Sequence, residues 1–176
     1  MGRLSVLISI LALATVLVAG TALAAQEASP AASPAALPPP LGDWAAAWAV
    51  GDVEGILATF TDDADFEEVP IGVVTHGQDE LRAHLEGLKA AFPDISIVVT
   101  GGLVAGDRAA AEWTFTGTYS GQFPGLPPGT GQTVTVRGSS ILELEGGKIR
   151  ADREYWDAHA FLVQAGALSA PATPAP

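Results

Sequence analysis

At Pro93 the hydrophobic period of this sequence changes, and no other feature constrains the fold as much. Before it, Gln78 to Phe92 carries Leu81, Leu85, Leu88 and Phe92 on one stripe at helical spacing. Asp79 and Glu80 stand in the first turn, where the helix dipole favours anions. Pro93 then stops the helix, because its ring cannot continue one. Beyond it the apolar residues recur at every second position. Ala111, Trp113, Phe115, Gly117 and Tyr119 alternate with Glu112, Thr114, Thr116 and Thr118, the period of a half-buried strand.

The other segments fall on either side of that boundary. Leu41 to Val50 reads as a helix with Trp44 and Trp48 on one face, ended by Gly51. Asp52 is placed to cap a second helix, Val53 to Phe60, and Phe66 with Val69 marks a short strand closed by Pro70. After Pro93, strands are expected over Ile95 to Leu103, Ala109 to Tyr119, Thr133 to Glu145 and Lys148 to Trp156. Gly106-Asp107 and Gly146-Gly147 supply tight turns, Ser120 to Gly131 a Gly/Pro loop, and Ala158 to Gln164 a closing helix. Helices first and strands afterwards define an α+β domain: a cone-like, curved antiparallel sheet packed by its N-terminal helices. The mouth of such a cone is a natural pocket.

The ends do not belong to that domain. Arg3, an uncharged apolar run from Leu4, and Ala22-Leu23-Ala24 have the anatomy of an export signal over residues 1–25, with cleavage expected after Ala24. If uncleaved, the same segment is the chain's one link to a membrane. Residues 26–40 form a Pro/Ala tether and 169–176 a tail of like composition, leaving 41–168 as one folded domain. An extracytoplasmic location is the expectation. With 8 Lys+Arg against 20 Asp+Glu, the net charge of −12 disfavours nucleic acid as a partner. The lack of cysteine excludes disulfides and thiolate chemistry, so any reaction here rests on oxygen and nitrogen acids and bases.

Several blocks carry a family resemblance: Phe92-Pro93-Asp94, Gly117-Thr118-Tyr119-Ser120-Gly121, Leu126-Pro127-Pro128, Gly147-Lys148-Ile149 and Arg153-Glu154-Tyr155-Trp156-Asp157. In this order the chain resembles the SnoaL-like polyketide cyclases, or ester cyclases, of the nuclear transport factor 2-like fold. It departs from them in having Tyr119 where His is frequent and Ala165 where Leu is frequent. The resemblance implies cofactor-free aldol ring closure with an aspartate near the last strand as general acid/base, a role that falls by position on Asp157. It also implies an open sheet that commonly pairs with a second copy, a possible homodimer.

Strict alternation puts Ile149, Ala151, Arg153, Tyr155 and Asp157 on one face of the last strand. If that face looks inward, Arg153 and Tyr155 are placed to anchor an oxyanion beside Asp157. The competing reading makes Asp157 the N-cap of the helix that follows, which would hold its carboxylate charged and make it a poor base. Candidate ligand contacts are Trp48, Phe66, Trp113, Tyr119 and Phe123, the last in the Gly/Pro loop, together with His76 before the third helix. His84 borders the helical stripe and reads as packing, and His159 points away from Asp157. The run Asp62-Asp63-Asp65-Glu67-Glu68 reads as a solvated turn from which Asp65 or Glu67 can reach the cavity. No histidine pair has ligand spacing, so no metal site is expected. Two function classes follow. One is an exported protein that binds a small hydrophobic, cyclic or polyketide-like molecule and moves a proton. The other is a secreted ligand carrier or dimeric interaction module on the same fold.

Overall fold

The computed structural model describes residues 37–169. The export segment and nearly all of the tether and tail lie outside those residues. The element order is α1 (Leu41–Val50), α2 (Val53–Ala58), β1 (Phe60–Glu68), β2 (Val73–His76), α3 (Gly77–Ala91), β3 (Ser96–Ala105), β4 (Arg108–Tyr119), β5 (Gln132–Glu145), β6 (Lys148–Trp156) and α4 (Ala158–Gln164). Six strands form one sheet in the order β2-β1-β6-β5-β4-β3. Neighbouring pairs are antiparallel except β1 with β6, whose parallel pairing closes the N-terminal strands onto the C-terminal one. The α+β class agrees with the sequence reading; the parallel pair is a finding of the structure.

The helices pack on one side of the curved sheet, α1 against β3, α3 against β1 and β2, and α4 against β5. Gly51 adopts the left-handed conformation that ends α1 (φ 62°), and its amide and that of Asp52 close back on Trp48 and Ala47 carbonyls. Asp52 stands at the N-cap of α2 but makes no side-chain capping bond. Behind Pro93, Asp94 accepts from the backbone N–H (2.6 Å) and hydroxyl (2.7 Å) of Thr118. These two bonds hold its carboxyl below the usual range and pin the end of α3 to the end of β4.

Phe92 lies at the centre of the core. It stacks on Tyr119 at 4.8 Å and meets Phe115 edge-on at 5.0 Å and Phe161 at 6.1 Å. Each such pair contributes about 0.5–1.5 kcal/mol beyond burial alone, so this cluster ties α3, β4 and α4 together.

Two local irregularities decide which side chains face inward. The second helix ends at Ala58 and Phe60 already opens β1, so the acidic run after it is a strand and not a turn. There Ala64, Phe66 and Glu68 are buried in alternation. In β6 the register against β5 shifts between Glu143 and Leu144, whose partners are Ala151 and Ile149. Arg150 is thus an extra residue, and a bulge of this kind reverses which side chains face inward beyond it.

Candidate functional site

Because of that bulge, the alternation expected from Ile149 to Asp157 does not hold. Ile149 is buried, but beyond Arg150 the inward-facing series becomes Asp152, Glu154 and Trp156. Arg153 lies half-exposed instead, pairing with Glu143 (3.3 Å) and, more loosely, with Glu67 (3.7 Å). Tyr155 is 45% exposed.

The inward face of the sheet and helices α1, α3 and α4 form the walls of a cavity that is open to solvent at its mouth. Rings of Trp48, Phe66, Phe115, Phe123 and Trp156 form much of its wall, and Phe92 and Phe161 lend it the edge of the core cluster. Two polar side chains interrupt this lining, Glu68 and Glu154, and both are more than nine-tenths buried. They come from adjacent strands in direct register, Glu68 of β1 opposite Glu154 of β6.

A hydrogen-bonded set surrounds the pair. The Nε2 of His84 on α3 lies 2.9 Å from Glu68 Oε1, and its ring sits between Phe66 (5.1 Å) and Phe123 (5.2 Å). On the other side, Trp113 Nε1 donates to Ser140 Oγ at 3.1 Å, and the Ser140 hydroxyl donates weakly to Glu154 Oε1 at 3.5 Å. Asp152 is two residues earlier on the same face of β6, 1% exposed, and neither of its oxygens has a partner. Burial pushes its carboxyl up to about 8. Burial, and then the charges of Asp152 and Glu68, push Glu154 well above the carboxylate range. Both shifts favour the protonated form, in which a carboxyl can donate a hydrogen bond.

The residues named from sequence are distributed as follows. Trp48, Phe66 and Phe123 stand in the cavity wall. Trp113 is on the inner face of β4 but behind the lining, holding Ser140. Tyr119 is fully buried in the core, its hydroxyl donating to the Pro127 carbonyl so that it fastens the Gly/Pro loop. His76 is exposed, with Nδ1 2.7 Å from Asp65 Oδ1, a contact that raises its pKa. Asp157 is at the N-cap of α4, where Oδ1 accepts from the Ala160 amide at 2.8 Å. Asp157→Ala is expected to lower stability by about 1 kcal/mol, the usual worth of an N-cap, read as a shifted urea midpoint.

Glu68, His84, Ser140, Asp152 and Glu154 escaped the sequence reading. For His84 the helical stripe pointed to packing, and it is packed, but against a carboxylate. For Glu154 and Asp152 the signal was present as the alternation Asp152, Glu154, Trp156; the bulge that selects it over the odd-numbered series is not written in residue types.

A curved six-stranded sheet with helices packed on one side is the architecture of the nuclear transport factor 2-like class of domains. Within it, the family profile of SnoaL-like polyketide cyclases matches residues 41–165, and the chain belongs to that family. No curated protein matches the chain in sequence. Solved structures agree on the fold. A protein with a ketosteroid isomerase-like fold from Catenulispora acidiphila, in complex with trimethylamine, is 21% identical and superposes with TM-score 0.62 over 72% of this chain and 91% of its own. A protein described as a polyketide cyclase from Pseudomonas putida is 24% identical, with TM-score 0.63 over 70% and 93%. One described as a hydroxylase from Streptomyces galilaeus is 28% identical, with TM-score 0.61 over 74% and 80%.

Proposed function

We infer that the cavity binds a small, largely apolar molecule and that Glu154 and Glu68 move a proton to and from it. The observation that carries this reading is the pairing of two buried carboxyl side chains, in register on adjacent strands, at the floor of an otherwise apolar cavity. Glu154, whose pKa burial raises, is the acid that polarises an oxygen of the ligand. Glu68, held by His84, is the base within reach of a neighbouring C–H. A shared aromatic wall orients a ring-shaped substrate between them. Family membership supports cyclase- or isomerase-type proton transfer, and the trimethylamine complex of one structural neighbour supports small-molecule binding by the fold.

Other readings fare less well. Asp157 is occupied as a helix cap, which leaves the acid/base role to the buried glutamates. Epoxide opening by two carboxylates and an arginine lacks its arginine, since none lines the cavity among the described residues. A purely passive carrier would have no use for two carboxyl groups whose burial costs stability.

The test is exchange of the α-protons of cyclohexanone in D2O, followed by proton NMR. The protein is expected to accelerate exchange over buffer, Glu68→Gln to slow it roughly 100-fold, and Asp157→Asn to leave it unchanged. Equal rates in the parent chain and Glu68→Gln would overturn the assignment.

A further inference from the structure

The cavity floor holds more acid than its surroundings balance. Glu68 and Glu154 line it, Asp152 lies buried close to Glu154 on the same strand, and the basic side chain beside them is His84, which is bound to Glu68. Among the described residues no lysine or arginine lines the cavity. Ser140 from β5 offers Glu154 one long hydrogen bond, and Asp152 has no partner at all. A buried carboxylate lacking a counter-charge or donors is costly, and burial shifts Asp152 and Glu154 towards their protonated forms in the empty protein. The wall above it is made of aromatic faces and edges, the surface that attracts cations once water is excluded. Anionic ligands meet repulsion from Glu68, and neutral ones gain the rings and a hydrogen bond from Glu154 but no charge pairing.

We propose that the preferred ligand of this cavity carries a cationic nitrogen, an aliphatic or cyclic ammonium whose charge sits against Glu154 and Glu68 while its carbon skeleton packs on Trp48, Phe66 and Phe123. The proposal rests on the reading of this cavity as the ligand site and holds whether or not a proton is then moved on the ligand. Binding displaces a proton from the carboxyl cluster to solvent, so the ammonium takes the place that the proton holds in the empty site. Affinity for a permanently protonated amine therefore rises between pH 6 and pH 8, as the cluster, with Asp152 pushed up to about 8, comes closer to ionising. The affinity of a neutral ligand of equal size has no reason to follow.

The experiment uses the full chain and three soluble six-membered rings of like size: cyclohexylammonium, cyclohexanol and cyclohexanecarboxylate. Binding is followed by tryptophan fluorescence, which Trp48 and Trp156 report from the cavity wall, and by calorimetry in buffers of different ionisation enthalpy. The expected result is a preference for the ammonium over the alcohol of roughly ten-fold or more, with no measurable binding of the carboxylate. Calorimetry should register proton release, and Glu154→Gln should reduce the preference to near unity. If ammonium and alcohol bind equally, the cation preference is overturned and the cavity remains the ligand site. If none of the three binds, the cavity reading and the proposal fall together. Should Glu154→Gln not fold, the pH dependence in the parent chain decides: ammonium affinity that is flat or falling from pH 6 to 8 overturns the proposal.

Discussion

Asp152→Asn is expected to raise the thermal midpoint at pH 8 by on the order of 10 °C, while leaving it nearly unchanged at pH 4. The reason lies in a carboxyl group that folding removes from water without supplying a partner. Asp152 is 1% exposed and both its oxygens are without hydrogen bonds. Its pKa in the folded protein is pushed by burial up to about 8, whereas an aspartate in an unfolded chain titrates near 4. Since the folded value is the higher, the contribution of Asp152 to stability is intact below about pH 4 and is lost as pH climbs towards about 8. Over that window the unfolded chain gains the ionisation that the folded protein resists. The loss is on the order of a few kcal/mol at pH 8, since each unit crossed is worth about 1.4 kcal/mol. Asparagine keeps the shape, cannot ionise in either state, and so removes the pH-dependent part. Circular-dichroism melts from pH 4 to pH 9 measure it directly. Parallel curves for the two proteins would show that Asp152 is not the neutral burden described. A position that gives up this much stability beside a ligand cavity is the kind of local conflict expected at functional sites.

How far the sequence could be read follows from what each signal depends on. The helix α3 and strand β4 were legible because a stripe of four apolar residues and a nine-residue alternation depend only on periodicity. The break at Pro93 depends on proline chemistry, and it too was legible. The start of β1 was not, since Phe60 continues the apolar spacing of Ile56 and Leu57, and nothing local marks the change of backbone at Thr59. β2 is four residues long and has no pattern of its own; its strand character comes from pairing with β1. The cavity wall was partly legible through Trp48, Phe66 and Phe123, because aromatics at helix and strand spacing face inward. Its acidic floor was not. Glu68 stood in a run of acids that resembles a solvated turn, and a parallel β1–β6 pair is needed before Glu68 and Glu154 meet. The extra residue at Arg150 then turned Asp152 and Glu154 inward and Arg153 and Tyr155 outward. Contacts made across the sheet, between residues 86 positions apart, are carried by register, which residue type alone does not encode.

Gly138→Ala is expected to lower stability by about 3–5 kcal/mol and to slow exchange chemistry by more than the loss of folded protein explains. Gly138 of β5 pairs in register with Trp113 of β4, and the indole lies flat across it. A Cβ at position 138 would fall 2.3 Å from Cη2 and 2.4 Å from Cζ2 of that ring, well inside contact distance. The glycine is thus required by a close approach, and its backbone has no positive φ to explain it. Displacing the ring takes Nε1 away from Ser140 Oγ, leaving a buried indole and a fully buried hydroxyl to lose their bond. Overpacking costs about 1–3 kcal/mol, and orphaned buried polar groups about 1–3 more. The functional consequence runs along the same chain: Ser140 is the hydroxyl that reaches Glu154, so a displaced indole frees the acid's one hydrogen-bond donor. Replacing the indole by a shorter ring separates the two effects. In a Trp113→Phe background the added methyl at position 138 has room, and Gly138→Ala should then cost less than about 1 kcal/mol, a strong coupling in a double-mutant cycle read from urea midpoints. Additive costs would mean that the methyl is accommodated by movement of β5, and the proposed link from Gly138 through Trp113 and Ser140 to Glu154 would not stand.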